Sequence, residues 1–164
     1  MSTGGSDQST VDRAINLVDP SNVGLLQCTA TYPANAEEMN LNVITKFRER
    51  YPETVIGLSS HDRGILFPVI AAALGARIIE KHFTTDRSLK ETDHSFSLEP
   101  AGMEKMCCGL KNTIIAMGNF KKAILPAETP IIKKFEKMII YSRNLEKGAI
   151  IGEEDIEIRA PNGR

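Results

Sequence analysis

Three histidines, His61, His82 and His94, fall inside one stretch of the chain, Ile56 to Pro100. His61 and His82 each follow a short strand-like run, IGLSS and ARIIEK. Neighbouring parallel strands lie about 4.8 Å apart, so imidazoles leaving adjacent strand ends can reach one ion. Imidazole suits Mn, Fe, Co, Ni or Zn, but neither an HxxxH pair nor paired cysteines are present to favour zinc. A plainer reading stands beside this one, because histidines at loop entrances are commonly just hydrogen-bonded. Ser2, Thr3, Ser59 and Ser60 offer hydroxyls near backbone amides, suited to phosphate at a helix N-terminus or simply to turns. Glu80 and Lys81 alternate in a strand, so one faces inward, and an inward Glu80 would need a lysine, arginine or metal as partner. Asp93 and His94, in Thr92-Asp93-His94-Ser95, either fix a polyhydroxylated substrate or stabilise the loop's turns. No GxSxG, P-loop, strand-associated GxGxxG or CxxC is present, which removes the main support for serine hydrolase, P-loop NTPase and redox chemistries.

The elements that would carry these groups alternate regularly. A helical pattern with Val11, Ala14, Ile15 and Val18, capped by Ser6 or Asp7, ends at Pro20. Val23 to Cys28 reads as a buried strand, followed by a polar loop from Thr29 to Ala36. Glu37 to Tyr51 is an amphipathic helix with Leu41, Ile44, Phe47 and Tyr51 on one face. Thr54 to Ser59 is a second strand, Phe67 to Leu74 a helix stopped by Gly75, and Ala76 to His82 a third strand. Strands alternating with single helices build a parallel sheet, open and doubly wound or closed as a (β/α)8 barrel. Either way the strand C-termini share a rim, and that rim holds Thr29 to Tyr32, Ser59 to His61 and His82 to Thr84.

The long Phe83 to Glu99 loop has the length of a lid or binding loop. It leads to a helix from Pro100 to about Met117, with Met103, Met106, Cys107, Leu110, Ile114 and Met117 expected on its buried side. Two prolines in LPAETP mark a linker. Beyond it Met138 to Tyr141, Gly148 to Ile151 and Ile156 to Ile158 read as short strands of a small β module.

At 164 residues, 41% hydrophobic and 25% charged, the chain has the composition of a globular domain. A formal net charge of -1 predicts no nucleic acid or anionic membrane as partner. The longest apolar run, Ile65 to Gly75, is too short to span a bilayer, and MSTGGSDQSTVDR has no signal-peptide core, so the chain reads as cytoplasmic. Cys28, Cys107 and Cys108 form no disulfide framework and are expected to pack as small apolar residues.

Four segments together resemble the sialic acid synthase family, N-acetylneuraminate synthase and related nonulosonic acid synthases. They are Leu26-Gln27-Cys28-Thr29 with Tyr32-Pro33, Ile56 to His61, Glu80-Lys81-His82-Phe83-Thr84, and Thr92 to Pro100. The resemblance implies an α/β fold: a partial (β/α)8 TIM barrel, its last three strands, then a linker and the start of a small β SAF (antifreeze-like) domain. On that reading residues 1–119 are barrel, 120–136 linker and 137–164 the start of the SAF-like domain. It implies condensation of phosphoenolpyruvate with an N-acylmannosamine-type sugar, with a divalent metal, Mn2+ or Mg2+, as cofactor and a homodimer for the complete protein. His61 and His82 match the family's metal ligands, Ser2 and Ser59 its phosphoenolpyruvate phosphate contacts, and Tyr32 and Asp93 its sugar pocket. The metal would polarise the sugar aldehyde, C3 of phosphoenolpyruvate would attack it, and water would add before phosphate leaves.

No residue here matches the family's catalytic glutamate or its phosphoenolpyruvate lysines, which precede the STG motif, so the isolated chain is expected to be inactive. Ala30 stands where many relatives carry Asn, and Ala160-Pro161-Asn162-Gly163 departs from a usual Pro-Gly-Asn-Gly. A reading of another class is a non-catalytic fragment or sugar- or phosphate-binding module.

Overall fold

The computed structural model describes residues 1–160, in two compact units, Met1–Gly118 and Asn119–Arg164. The turn expected at Pro161-Asn162-Gly163 lies outside the described residues.

Unit 1 is built on three parallel strands in sequential order, β1 (Gly24–Cys28), β2 (Val55–Ser60) and β3 (Ile78–Lys81). Each strand is followed by a helix: α1 (Gln8–Ile15) precedes β1, then come α2 (Asn42–Arg50), α3 (Leu66–Ala73) and α4 (Pro100–Met117). The N-terminal residues extend the sheet beyond β1, where Ser2 bridges Leu26 in parallel and Thr3 N–H donates to the Leu26 carbonyl at 3.1 Å.

Register fixes which residues share a face. Cys28 lies beside Ser59, Ser59 beside Glu80, and Ser60 beside Lys81. Because side chains alternate along a strand, Leu25, Ile56, Leu58 and Ile79 face the helices, and Leu26, Gly57, Ser59 and Glu80 face the other way. On the helix side Leu25, Ile56 and Leu58 join Val11, Ile15, Ile44, Phe47, Tyr51 and Ala71 in one core. Each helix contributes apolar side chains three or four residues apart, Val11 with Ile15 and Ile44 with Phe47, which is the stripe that burial requires.

Local chemistry sets the ends of these elements. Asp7, not Ser6, caps α1, its carboxylate accepting from Thr10 N–H at 2.8 Å. Arg50 Nη2 meets Asp12 at 2.6 Å and Tyr51 donates to the same carboxylate, pinning α2 to α1. The helix expected from Glu37 is interrupted: a single turn covers Ala36–Glu38 and α2 begins only at Asn42. Asn40 has φ of 44°, a left-handed residue that breaks the helical run. Gly75 ends α3 at φ of 100°, where a side chain would be strained and would strike the Arg48 guanidinium.

Two expectations about α4 fail. Of the apolar stripe only Met106 is buried, and Cys107 and Cys108 are exposed. α4 packs on α3, and an 18-residue helix is about 27 Å long against about 12 Å for eight residues. Its C-terminal half therefore overhangs, leaving Ile114, Ile115 and Met117 uncovered.

In unit 2 the stretch expected as a linker contains a short helix, α5 (Thr129–Phe135). Two antiparallel strands follow, β4 (Met138–Tyr141) and β5 (Ile156–Arg159). Gly148 to Ile151 does not form the expected strand; Ile150 and Ile151 pair with nothing and are exposed. The connection is held instead by buried Asp155, which accepts from Gly152 N–H at 3.0 Å and Arg143 Nε at 2.6 Å. Among the described residues no helix is long and apolar enough to cross a membrane.

Candidate functional site

The C-terminal ends of β1, β2 and β3 bring together residues far apart in sequence. His61 follows β2 and His82 follows β3, each two residues beyond Ser59 and Glu80, so both return to the face turned away from the helices. Their ring centroids are 5.3 Å apart with the planes at 80°. Tyr32, from the loop after β1, stacks on His61 with centroids 4.2 Å apart and planes at 24°, and approaches His82 edge-on at 5.6 Å. Phe96, from the loop before α4, closes the far side, 5.0 Å from His82 and 6.0 Å from Tyr32.

The loop carrying Phe96 is tied down rather than free. Thr84 N–H donates to Leu98 and Leu98 N–H to His82, so Phe83 and Leu98 form a parallel bridge. Thr84 Oγ1 lies 2.7 Å from His94 Nδ1, and Arg87 Nε donates to the Ser97 carbonyl at 2.8 Å. His94 is thus hydrogen-bonded within its own loop. Asp93 is held nearby, its Oδ2 3.7 Å from His82 Nδ1, and its backbone carbonyl accepts from Ser97 Oγ at 2.5 Å.

The two imidazoles differ in their polar neighbours: His61 has one ring nitrogen hydrogen-bonded, and His82 has Asp93 at 3.7 Å. His61 Nδ1 donates to the Thr29 carbonyl at 2.8 Å, which leaves the Nε2 lone pair available. Cys28 Sγ lies 3.9 Å from the same Nδ1. Desolvation, with His61 adding to it, holds the pKa of His82 below its ordinary value, while Asp93 acts in the opposite sense. Two imidazoles side by side, one of them oriented by a backbone carbonyl, suit a divalent ion. They are an incomplete donor set by themselves, because no group of three or more His, Cys, Asp or Glu ligands occurs among the described residues.

The hydroxyls divide sharply. Ser59, buried on the site face, donates to Glu80 Oε1 at 2.7 Å. Glu80 thus finds a serine where the sequence pointed to a cation or metal, because parallel register sets the two side by side. Thr3 Oγ1 donates to the Leu26 carbonyl at 2.9 Å and Ser60 Oγ to Asp62, so neither is free for phosphate. Ser2 lies alongside Leu26, on the side of β1 away from β2. Lys81 points into the helix side, where its side chain is 1% exposed and its ammonium meets Asp62 Oδ1 at 2.6 Å. Burial pushes the Lys81 pKa down, and the Asp62 contact partly offsets this. Phe96 and the Lys81–Asp62 pair were not singled out by sequence; Phe96 carried a signal, standing inside the TDHSFSLEP segment.

A wide cleft of about 870 Å³ also opens beside β1, lined by Thr3, Gln27, Cys28 and Thr29 on the strand side and Glu37, Asn40 and Lys46 opposite. It shares Cys28 and Thr29 with the surroundings of His61.

The sequence pattern of the NeuB family matches residues 1–122. Human N-acetylneuraminate-9-phosphate synthase is 32% identical over 161 residues, covering 97% of this chain and 45% of the relative. N,N'-diacetyllegionaminic acid synthase of Campylobacter jejuni is 32% identical over 166 residues, covering 98% and 49%. The crystal structure of N-acetylneuraminic acid synthetase from Leptospira borgpetersenii, a complex with citrate, superposes with a TM-score of 0.71 at 34% identity, covering 80% of this chain and 47% of that one. The chain thus spans about half the length of the curated relatives it matches.

Proposed function

This chain belongs to the NeuB family, and from that premise we propose that the protein condenses phosphoenolpyruvate with an N-acylmannosamine-type sugar to form a nonulosonic acid. The parallel sheet of unit 1 would be part of a (β/α)8 barrel and unit 2 part of a SAF-like domain, with the boundary and linker near residues 120–136. The observation that carries the reading is the His61–His82 pair, 5.3 Å between centroids, under a stacked Tyr32 at the strand ends. In parallel α/β folds that rim is where ligands bind.

His61, whose Nε2 is left available, and His82 would hold a divalent ion, Mn2+ or Mg2+. When bound, the ion supplies Lewis-acid polarisation of the acceptor carbonyl. The other groups act on substrate directly. Tyr32, 53% exposed above the histidines, offers an aromatic wall and a hydroxyl to the sugar. Asp93 offers a carboxylate to sugar hydroxyls from the Phe96 side. Ser59 and Ser2 are assigned to the phosphate of phosphoenolpyruvate; Ser59 must turn its O–H from Glu80 to donate there. In the condensation, C3 of phosphoenolpyruvate forms the new bond to the aldehyde carbon, water adds to C2, and phosphate leaves. The same reading extends to a cytoplasmic homodimer.

The test is incubation of the full-length protein with phosphoenolpyruvate, Mn2+ and N-acetylmannosamine or its 6-phosphate, following release of phosphate and formation of the nine-carbon acid. Release is expected, with loss of Mn2+ affinity by calorimetry in His61→Ala, His82→Ala. Unchanged Mn2+ affinity in that double variant removes the metal assignment. A second reading, a sugar- or phosphate-binding module without turnover, draws on the absence of a third metal ligand among the described residues. Phosphoenolpyruvate binding without phosphate release would favour it.

A further inference from the structure

Behind the histidine pair, on the helix side of the sheet, lies a polar cluster that the proposed chemistry does not use. Lys81 Nζ donates to Asp62 Oδ1 at 2.6 Å and also to the Asp62 backbone carbonyl. Ser60 Oγ donates to the same Oδ1. The Lys81 and Asp62 side chains are 1% and 2% exposed, and Ser60 is fully buried. Asp62 Oδ2 has no protein partner, so the carboxylate is oriented through Oδ1 alone.

A buried ion pair is a weak source of stability, because desolvating two charges offsets most of their attraction. What this one supplies is direction. Asp62 immediately follows His61 and Lys81 immediately precedes His82. The bonds therefore fasten β2 to β3 at the two points where the histidines leave the sheet. Lys81 holds both the side chain and the main chain of Asp62, so the backbone carrying His61 is itself anchored. Alternation then places this fastening on one face and the imidazoles on the other. Apolar packing would fill the same space without fixing the spacing of the strand ends.

We infer that Lys81 and Asp62 are positioning residues, a clamp on the reverse face that sets the separation of the His61 and His82 rings. The consequence for metal rests on the functional reading above; the effect on ring separation does not.

The two parts are tested in one set of full-length proteins: wild type, Lys81→Met, and the double variant Lys81→Met, Asp62→Leu. The double variant removes both buried charges together and is expected to keep the wild-type thermal midpoint. In metal-free protein, nuclear Overhauser contacts between the His61 and His82 ring protons report their separation. These contacts are expected in wild type and lost in both variants, with Mn2+ affinity by calorimetry falling about tenfold or more. Ring contacts that persist in the double variant overturn the clamp, and so does a Lys81→Met midpoint that falls while its ring contacts remain. A wild type with ring contacts but no Mn2+ affinity overturns the metal assignment instead, and the ring contacts of the variants still decide the clamp.

Discussion

His82 has three features that bear on its protonation: it is partly buried, it faces a second imidazole at 5.3 Å, and it has Asp93 3.7 Å away. The first two disfavour the imidazolium and Asp93 favours it, with burial the largest effect. The folded-state pKa is therefore below the ordinary 6.5. As pH falls through that ordinary value, the unfolded chain takes up a proton that the folded His82 refuses. Its contribution thus disfavours the folded state increasingly, until the pH drops below the folded pKa. An NMR titration of the metal-free protein is expected to give His82 a midpoint below 6.5. Asp93→Asn is expected to move that midpoint lower still, since Asp93 is the larger of the two carboxylate influences, with Glu80, that oppose burial. A midpoint unchanged in Asp93→Asn would mean that the carboxylate is not electrostatically coupled to the ring.

At the scale of elements, the approach of β2 to its neighbours depends on Gly57. A Cβ there would come within 2.4 Å of both the Ile78 carbonyl oxygen and Leu26 Cδ2, and one of these is backbone. Gly57→Ala is expected to lower stability by roughly 1–3 kcal/mol in urea unfolding, as overpacking does, and to disturb the pairing that sets His61 beside His82. Much of this architecture was legible beforehand. The strand–helix alternation, the shared rim, and Tyr32, His61 and His82 at that rim follow from apolar periodicity and the placement of turns. Pairwise partners were not legible, because Ser59 with Glu80 and Lys81 with Asp62 arise from register, which a single strand does not encode. The break at Asn40 was hidden for a related reason: Leu41, Ile44 and Phe47 keep helical spacing, while the left-handed residue before them leaves no mark in the apolar pattern.

For the molecule as a whole, the overhang of α4 leaves a contiguous stretch of apolar side chains without cover. Ile114, Ile115 and Met117 are 54%, 76% and 57% exposed. Surface of this kind favours association. Prepared as these 164 residues alone, the chain is expected to self-associate in sedimentation velocity, and Ile115→Lys to shift the distribution towards monomer; a monodisperse monomer at high concentration would refute this. The extent of α4 was readable from Pro100 and Gly118, but its burial was not, since burial depends on the length of its partner helix rather than on its own sequence.

The two-residue alternation in β2 and β3 also constrains the gene. Deleting a single codon between those for Gly57 and His61 keeps the reading frame yet reverses the facing of every residue that follows in the strand. The imidazole of His61 would turn towards the apolar core and the Asp62 carboxylate towards the rim. Substitutions at this rim can be graded, but one-codon insertions and deletions there are all-or-none, so length variation among functional alleles should be confined to the loops between strands.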